Sequence, residues 1–301
     1  MIGPKEIGGL TETSKMPGLS FSLPALITCP LGSKLAQLEG TPCSGCYALK
    51  GAYAWKGTRA AQARRYALLA AAMDTQKTRD GWASALGSWL HNRENKARKR
   101  SEKAGAPDPE NLQAYYDLKA AGARCTAGAK RITAGSEKNE KPECIALAKV
   151  YKKAAARWGL VKNDKAEALR VKHFLAWDNS RHFRWHDSGD VFDLRYMGMV
   201  ATVAALSPAV AHWLPSQERA TVKRQIALTG KLPENLIVRF SSPRVDVHPL
   251  PKPGATLLAS SVSSNGTTKG NLCPAYTRGG TCGPCRACWD PSVSLVTYPI
   301  H

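Results

Sequence analysis

The chain has 301 residues and a formal net charge of +20, from 43 Lys and Arg against 23 Asp and Glu. That length can bury a substantial core as one large domain or two smaller ones. No run approaches the roughly 20 apolar residues of a bilayer-crossing helix, and no long amphipathic helix with bulky apolar residues suits a membrane surface, so no membrane partner is expected. The basic excess points instead to a polyanion, nucleic acid above all, because clustered Lys and Arg gain affinity by releasing phosphate counterions. A solvated basic helix face is the plain alternative. The start MIGPKEIGGLTETSK has neither the basic n-region nor the apolar h-region of a secretion signal. A reducing cytoplasm is therefore the expected location, and disulfides are not expected.

Residues 16–58 are dense in Pro and Gly, which predicts a loop wrapped around a site, and Cys29, Cys43 and Cys46 lie within it. The Ala- and Leu-rich stretch from Thr58 to about Thr78 predicts a helix, and a second is expected from Trp82 to about Arg100, ending in the basic run HNRENKARKR. Residues 101–171 mix turn chemistry with Ala/Lys-rich helical pieces such as PECIALAKVYKKAAARWG and read as a basic helical insertion between an N-terminal part, 1–100, and a core, 172–301. In that core, strands are predicted at HFRWHDSGDVF, AHWLPSQ, NLIVRFSS, ATLLASSVS and VSLVTYP, with helices at LRYMGMVATVAALSP and at ERATVKRQIALTG, ending at Gly230. The alternation predicts an α/β fold with a parallel sheet, open or curled into a partial (β/α) barrel. Ligand groups in such folds gather where strands end. That rule selects His186, Asp187, Ser188, Gly189 and Asp190, then Ser216 and Gln217, then Ser241, Ser242 and Arg244.

The chain carries 9 Cys. Cys282, Cys285 and Cys288 form an uninterrupted CxxCxxC run with Cys273 as a natural fourth ligand. Thiolates at this spacing suit a soft metal, and the run favours iron–sulfur ligation over zinc, which more often uses two separated knuckles. The trio Cys29, Cys43 and Cys46 leaves one position of a cuboidal cluster open to a substrate or cofactor. An unidentified fourth ligand, or zinc bound together with His301 or another histidine, would close the site instead. Cys125 and Cys144 stand alone and are expected to be core residues. The HDSGD segment crowds two carboxylates, an imidazole and a hydroxyl around a glycine, as a ligand loop does, or as an Asx-type turn does.

The segments MPGLSFSLPALITCP, CSGCYALKG, FRWHDSGD and CPAYTRGGTCGPCRACW together resemble the phage "gene product eighty-eight" family. The resemblance covers both ends and the middle strand, and implies a phage origin and an iron–sulfur protein rather than a particular reaction. The layout is also distantly similar to radical S-adenosylmethionine barrels. On that similarity Ser188, Gly189 and Asp190 would hold the methionine amino group. The cysteine spacing departs from that pattern, since Cys29 stands far from Cys43 and Gly45 occupies the place of the usual aromatic.

The expectation is an iron–sulfur enzyme acting on nucleic acid, with one or two [4Fe-4S] clusters and His186 or Asp187 handling protons. The alternatives are a non-catalytic nucleic-acid-binding protein with structural iron–sulfur or zinc sites, and a nuclease using Asp187 and Asp190 with a hard divalent metal. Tyr47, Tyr53, Trp55 and Trp185 are available to exclude water from the site, with simple core packing as the alternative.

Overall fold

The computed structural model describes residues 3–13, 15–124, 142–251 and 257–300, the side chains of 121–124 and 142–147 excepted. In chain order the elements are β1 (Thr11–Glu12), β2 (Leu19–Phe21), α1 (Pro30–Leu35), α2 (Lys56–Ala72), α3 (Gln76–Ala104), α4 (Pro109–Arg124), α5 (Pro142–Asn163), α6 (Lys165–Ser180), β3 (His182–Trp185), α7 (Leu194–Leu206), β4 (Ala211–Ser216), α8 (Arg219–Thr229), β5 (Leu236–Ser241), β6 (Leu258–Ser263), β7 (Asn271–Leu272) and β8 (Leu295–Pro299). The strands form one 8-stranded sheet in the order β1-β2-β3-β4-β5-β6-β8-β7. Only β1 runs antiparallel to its neighbour. Consecutive strands from β2 to β6 are spatial neighbours, and the edge strands β1 and β7 do not pair with each other among the described residues.

Period-2 alternation divides the sheet's two faces. Phe183 and Trp185 of β3, Leu214 of β4, and Leu236, Val238 and Phe240 of β5 enter a core with Trp82, Leu86 and Leu90 of α3, Tyr196, Val200 and Val203 of α7, and Val222 of α8. Each such fully buried side chain stabilises by about 1.5–3 kcal/mol. Trp185 belongs to this core rather than to a water-excluding wall. On the opposite face Trp213 packs with Cys288, Trp289 and Val296, so the C-terminal cysteine segment covers the side that the helices leave bare.

The helices differ from expectation in identifiable ways. The first breaks before Thr78, because Thr75 caps α3 in a reciprocal box with Thr78. The strand β2 lies in the Pro/Gly-rich stretch expected to be loop, its three residues all buried. In the basic segment α4 packs against α5. Glu167 of α6 ties α4 to the body, accepting from the Asp108 amide at 2.8 Å and the Asn111 side chain at 3.1 Å. Helix α6 runs through position 171, where a boundary was expected, and delivers the chain to β3. Cys125, the Cys144 side chain and His301 lie outside the described residues.

Candidate metal centre

The loop after β2 brings the first thiols together. Cys29 is the N-cap of α1, with Pro30 next. Its sulfur and that of Cys43 lie 3.9 and 3.8 Å from where a Gly32 side chain would begin, so the absence of a Cβ there leaves room for both. Cys43 and Cys46 are joined by a tight turn, the Cys46 amide donating to the Cys43 carbonyl at 3.2 Å. Thr41 fastens the loop by donating to the Leu35 and Leu38 carbonyls at 2.7 and 2.9 Å. Burial and then the Asp190 charge push the Cys29 thiol up to about 12. Burial, Cys46 and Asp190 push Cys43 up to about 11.

The HDSGD loop sits directly against this cysteine loop. The Leu23 amide donates to the Ser188 carbonyl at 2.8 Å, and the Asp190 amide donates to Thr28, one residue before Cys29, at 3.0 Å. Gly189 makes the approach possible: at φ +88° any Cβ would stand 2.6 Å from the Thr28 hydroxyl and 2.7 Å from the Leu23 Cβ. From the other side the Tyr47 hydroxyl, adjacent to Cys46, donates to the Asp187 carbonyl at 2.6 Å.

Within the loop the side chains point in three directions. His186 is held at φ +65°, a strained value for a non-glycine residue. Its Nε2 meets the Tyr196 hydroxyl at 2.6 Å, and burial drives its pKa to about 3, so the ring is neutral. The Asp187 carboxylate accepts from Ser20 at 2.6 Å, from Ser22, and from Tyr53 at 3.1 Å. Asp190 faces β4, accepting from the Ser216 hydroxyl at 2.7 Å and the Gln217 amide at 2.8 Å. Burial outweighs these bonds and raises the Asp190 pKa to about 7. Ser188 Oγ, Gln217 Oε1 and His186 Nδ1 are buried without a hydrogen-bond partner. Orphaned polar atoms at strand ends fit a ligand site.

Sequence reasoning missed Glu218. One residue beyond the strand-end pair, it accepts from the Leu31 amide at 2.6 Å and so holds α1, with Cys29 at its start, against β4. Ser242 remains a neighbour through its carbonyl, which accepts from the Gln217 side chain at 3.2 Å. Ser241 instead receives Arg219 at 2.8 Å, and Arg244 turns back on Ser242. Trp55 is 68 % exposed, so it does not shield the site.

The C-terminal thiols gather on the other sheet face. Cys273, Cys282, Cys285 and Cys288 line one cavity with Asn271, Pro274, Ala287, Trp289 and Val296. Arg239 of β5, fully buried, is the rivet beneath them: it donates to the carbonyls of Cys288 at 3.0 Å, Ala287 at 2.8 Å, Asp290 at 2.7 Å and Val293 at 2.7 Å. Trp289 Nε1 donates to the Phe183 carbonyl at 2.9 Å, and the amides of Cys273 and Cys282 donate to Thr297 and Lys15, both at 2.8 Å. Burial, then Cys288 and Cys273, push Cys282 up to about 12, and burial lifts Cys288 to about 11 against its hydrogen bond with Tyr298.

All seven thiols are free. Among the described residues no group of three or more His, Cys, Asp or Glu already stands in metal-holding geometry; each thiol set is gathered rather than closed. The chemistry of both sets nevertheless fits a soft cation. The thiols of Cys29, Cys43, Cys282 and Cys288, pushed by burial to about 11 or 12, keep their protons in water, whereas a metal displaces such protons as it binds.

The family model described as Gene product 88 matches residues 4–106 and 89–291. The chain belongs to the gene product 88 family. Both cysteine sets and the HDSGD loop of this family member fall inside the matched residues. No curated protein and no solved structure matches the chain, so the similarity to radical S-adenosylmethionine barrels gains no support. Among the described residues no helix is long and apolar enough to cross a membrane.

Proposed function

We propose that this phage-family protein is an iron–sulfur enzyme acting on nucleic acid, with its reactive centre at Cys29, Cys43 and Cys46. The observation that carries this reading is the joining of the three-thiol loop to the HDSGD loop by backbone bonds on both sides, Asp190 to Thr28 and Tyr47 to Asp187. A cluster with one iron free of protein ligands supplies Lewis-acid or one-electron chemistry. Ser188, Gln217 and Asp190 offer polar groups to a ligand beside it, and the raised pKa of Asp190 suits it to holding or accepting a proton near neutral pH. S-adenosylmethionine is one ligand whose amino group suits this carboxylate. The sequential strand order supports a partial-barrel reading of the sheet, with this site at its strand ends.

The rim supports a nucleic-acid substrate. Trp55 is 68 % and Tyr47 44 % exposed, and Lys34, Lys50, Lys56 and Arg59 are exposed around them. Aromatic faces interleaved with cations suit stacked bases and their phosphates.

A second reading concerns the C-terminal set alone: the Arg239 rivet favours a structural metal there, iron–sulfur or zinc. The nuclease reading is weakened because Asp187 spends both carboxylate oxygens on Ser20, Ser22 and Tyr53 rather than on a metal position shared with Asp190. The test is anaerobic purification with iron, sulfide and zinc analysis, followed by oligonucleotide turnover with Asp190→Asn. Turnover lost with iron retained supports the reading; unchanged turnover in that variant refutes the role of the loop.

A further inference from the structure

Arg184, in the middle of β3 on the face opposite the helices, is a guanidinium with no carboxylate bonded to it among the described residues, although the charge of Asp187 reaches it. Among the described residues its Nη2 donates to the Tyr47 hydroxyl at 2.9 Å, its Nη1 meets only the Met16 sulfur at 3.3 Å, and its Nε is buried with no partner. The group lies over Trp213, 4.8 Å from the ring centroid, and the Trp213 Nε1 is likewise buried and unpartnered. Among the described residues Arg184 forms no ion pair with a carboxylate. The nearby acid Asp187 is already engaged by Ser20, Ser22 and Tyr53.

Two other arginines packed against the C-terminal segment show what a satisfied guanidinium looks like in this protein. Arg239 is saturated by carbonyls, and Arg286 pairs with Asp178. A half-covered cation with an idle N–H is expensive to keep unless something completes it. The open donor Nε and the neighbouring Nη2 form the fork that matches two oxygens of a phosphate, and the Trp213 face supports the plane from behind. Arg184 is only partly buried and its Nη2 bond to Tyr47 lies at the exposed end of the group. Because Tyr47 follows Cys46 directly, an anion on this fork lies beside the three-thiol loop.

We propose that Arg184, framed by Tyr47 and Trp213, binds a phosphate group of the substrate and so fixes a nucleotide against the three-thiol loop. The placement of that nucleotide rests on the reading of the loop as the reactive centre; the phosphate site itself does not. When phosphate enters, it takes the free Nε–H and replaces the Tyr47 oxygen at Nη2, while Tyr47 keeps its bond to the Asp187 carbonyl.

The test is calorimetric titration of the full chain with inorganic phosphate, adenosine 5′-monophosphate and adenosine, for the wild type, Arg184→Gln, Arg184→Lys and Tyr47→Phe, with iron measured on each sample. The wild type should bind both phosphate-bearing probes and not adenosine, more weakly as salt rises. Arg184→Gln should lose about tenfold or more, and Arg184→Lys should fall between, because an ammonium keeps the charge without the fork. Tyr47→Phe should still bind, and it keeps the proposal open to refutation should the Arg184 variants fail to fold. Wild-type protein with no saturable phosphate binding, or Arg184→Gln binding as tightly as wild type, overturns the proposal. So does an Arg184→Gln protein that loses iron along with binding, which would make Arg184 a support of the metal site. Phosphate binding through Arg184 in a protein that carries no iron would instead overturn the reading of the reactive centre and leave the phosphate site standing.

Discussion

Replacing Arg239 by Met should detach the C-terminal cysteine segment from the sheet. The guanidinium is fully buried and donates to four carbonyls of that segment, those of Ala287, Cys288, Asp290 and Val293. A hydrogen bond from a charged donor contributes about 1.5–3 kcal/mol net, and a carbonyl left buried and unpaired costs about 1–3 kcal/mol. The four bonds share one group, so they do not add, and removing the Arg also removes its own desolvation cost. Met fills part of the volume. The balance is a loss of about 3–5 kcal/mol, the range seen when a buried charge network loses one partner. Urea unfolding of metal-free protein reads this directly, and metal analysis of the holoprotein should show less metal at Cys273, Cys282, Cys285 and Cys288 with the other set intact. A variant as stable as wild type and equally loaded with metal would refute the rivet.

Gly189→Ala should destabilise by about 2–4 kcal/mol, the sum of a left-handed backbone penalty and overlap with Thr28 and Leu23; thermal unfolding measures it, and a loss within about 0.5 kcal/mol would contradict the loop contact. His212 accepts from Trp185 Nε1 through Nδ1 at 3.1 Å and reaches the Ser207 hydroxyl through Nε2 at 2.8 Å, a neutral ring whose pKa burial depresses to about 3. Its unfolded form binds a proton first, so stability should fall as pH drops from about 6.5 toward 3, and His212→Gln should flatten that slope in urea unfolding across this window. On α3, Lys99 and Arg100 are exposed whereas Arg98 pairs with Glu102 at 2.8 Å. Reversing charge at Lys99 and Arg100 should therefore weaken oligonucleotide binding and shallow its salt dependence by about one counterion per lost phosphate contact; unchanged binding in filter assays would make them solvated surface.

The strands β3 to β6 and β8 and the helices between them were legible because each carries its own period and its own stops: Asp193 caps α7 and Gly230 ends α8; the two-residue β7 was not. The strand β2 was not, because three residues between Gly18 and Pro24 carry no period and become strand only by pairing with β1 and β3. The grouping of Cys273, Cys282, Cys285 and Cys288 around one cavity followed from local spacing. The parts of the site that escaped notice depend on tertiary register. Arg184 and Arg239 look like surface residues in their strands until the cysteine segment covers that face, and Glu218 acts only because α1 docks on it.

The central claim is that Cys29, Cys43 and Cys46 hold an iron–sulfur cluster distinct from whatever the C-terminal thiols hold. Anaerobic iron, sulfide and zinc analysis of three proteins tests it most directly: the wild type, a triple Ala variant at Cys29, Cys43 and Cys46, and a quadruple Ala variant at Cys273, Cys282, Cys285 and Cys288. The account predicts iron and acid-labile sulfide in about equal amounts in the wild type, about four of each per cluster, with that share lost in the triple variant and kept in the quadruple one. Zinc without sulfide in the wild type, or iron unchanged by the triple substitution, would contradict it.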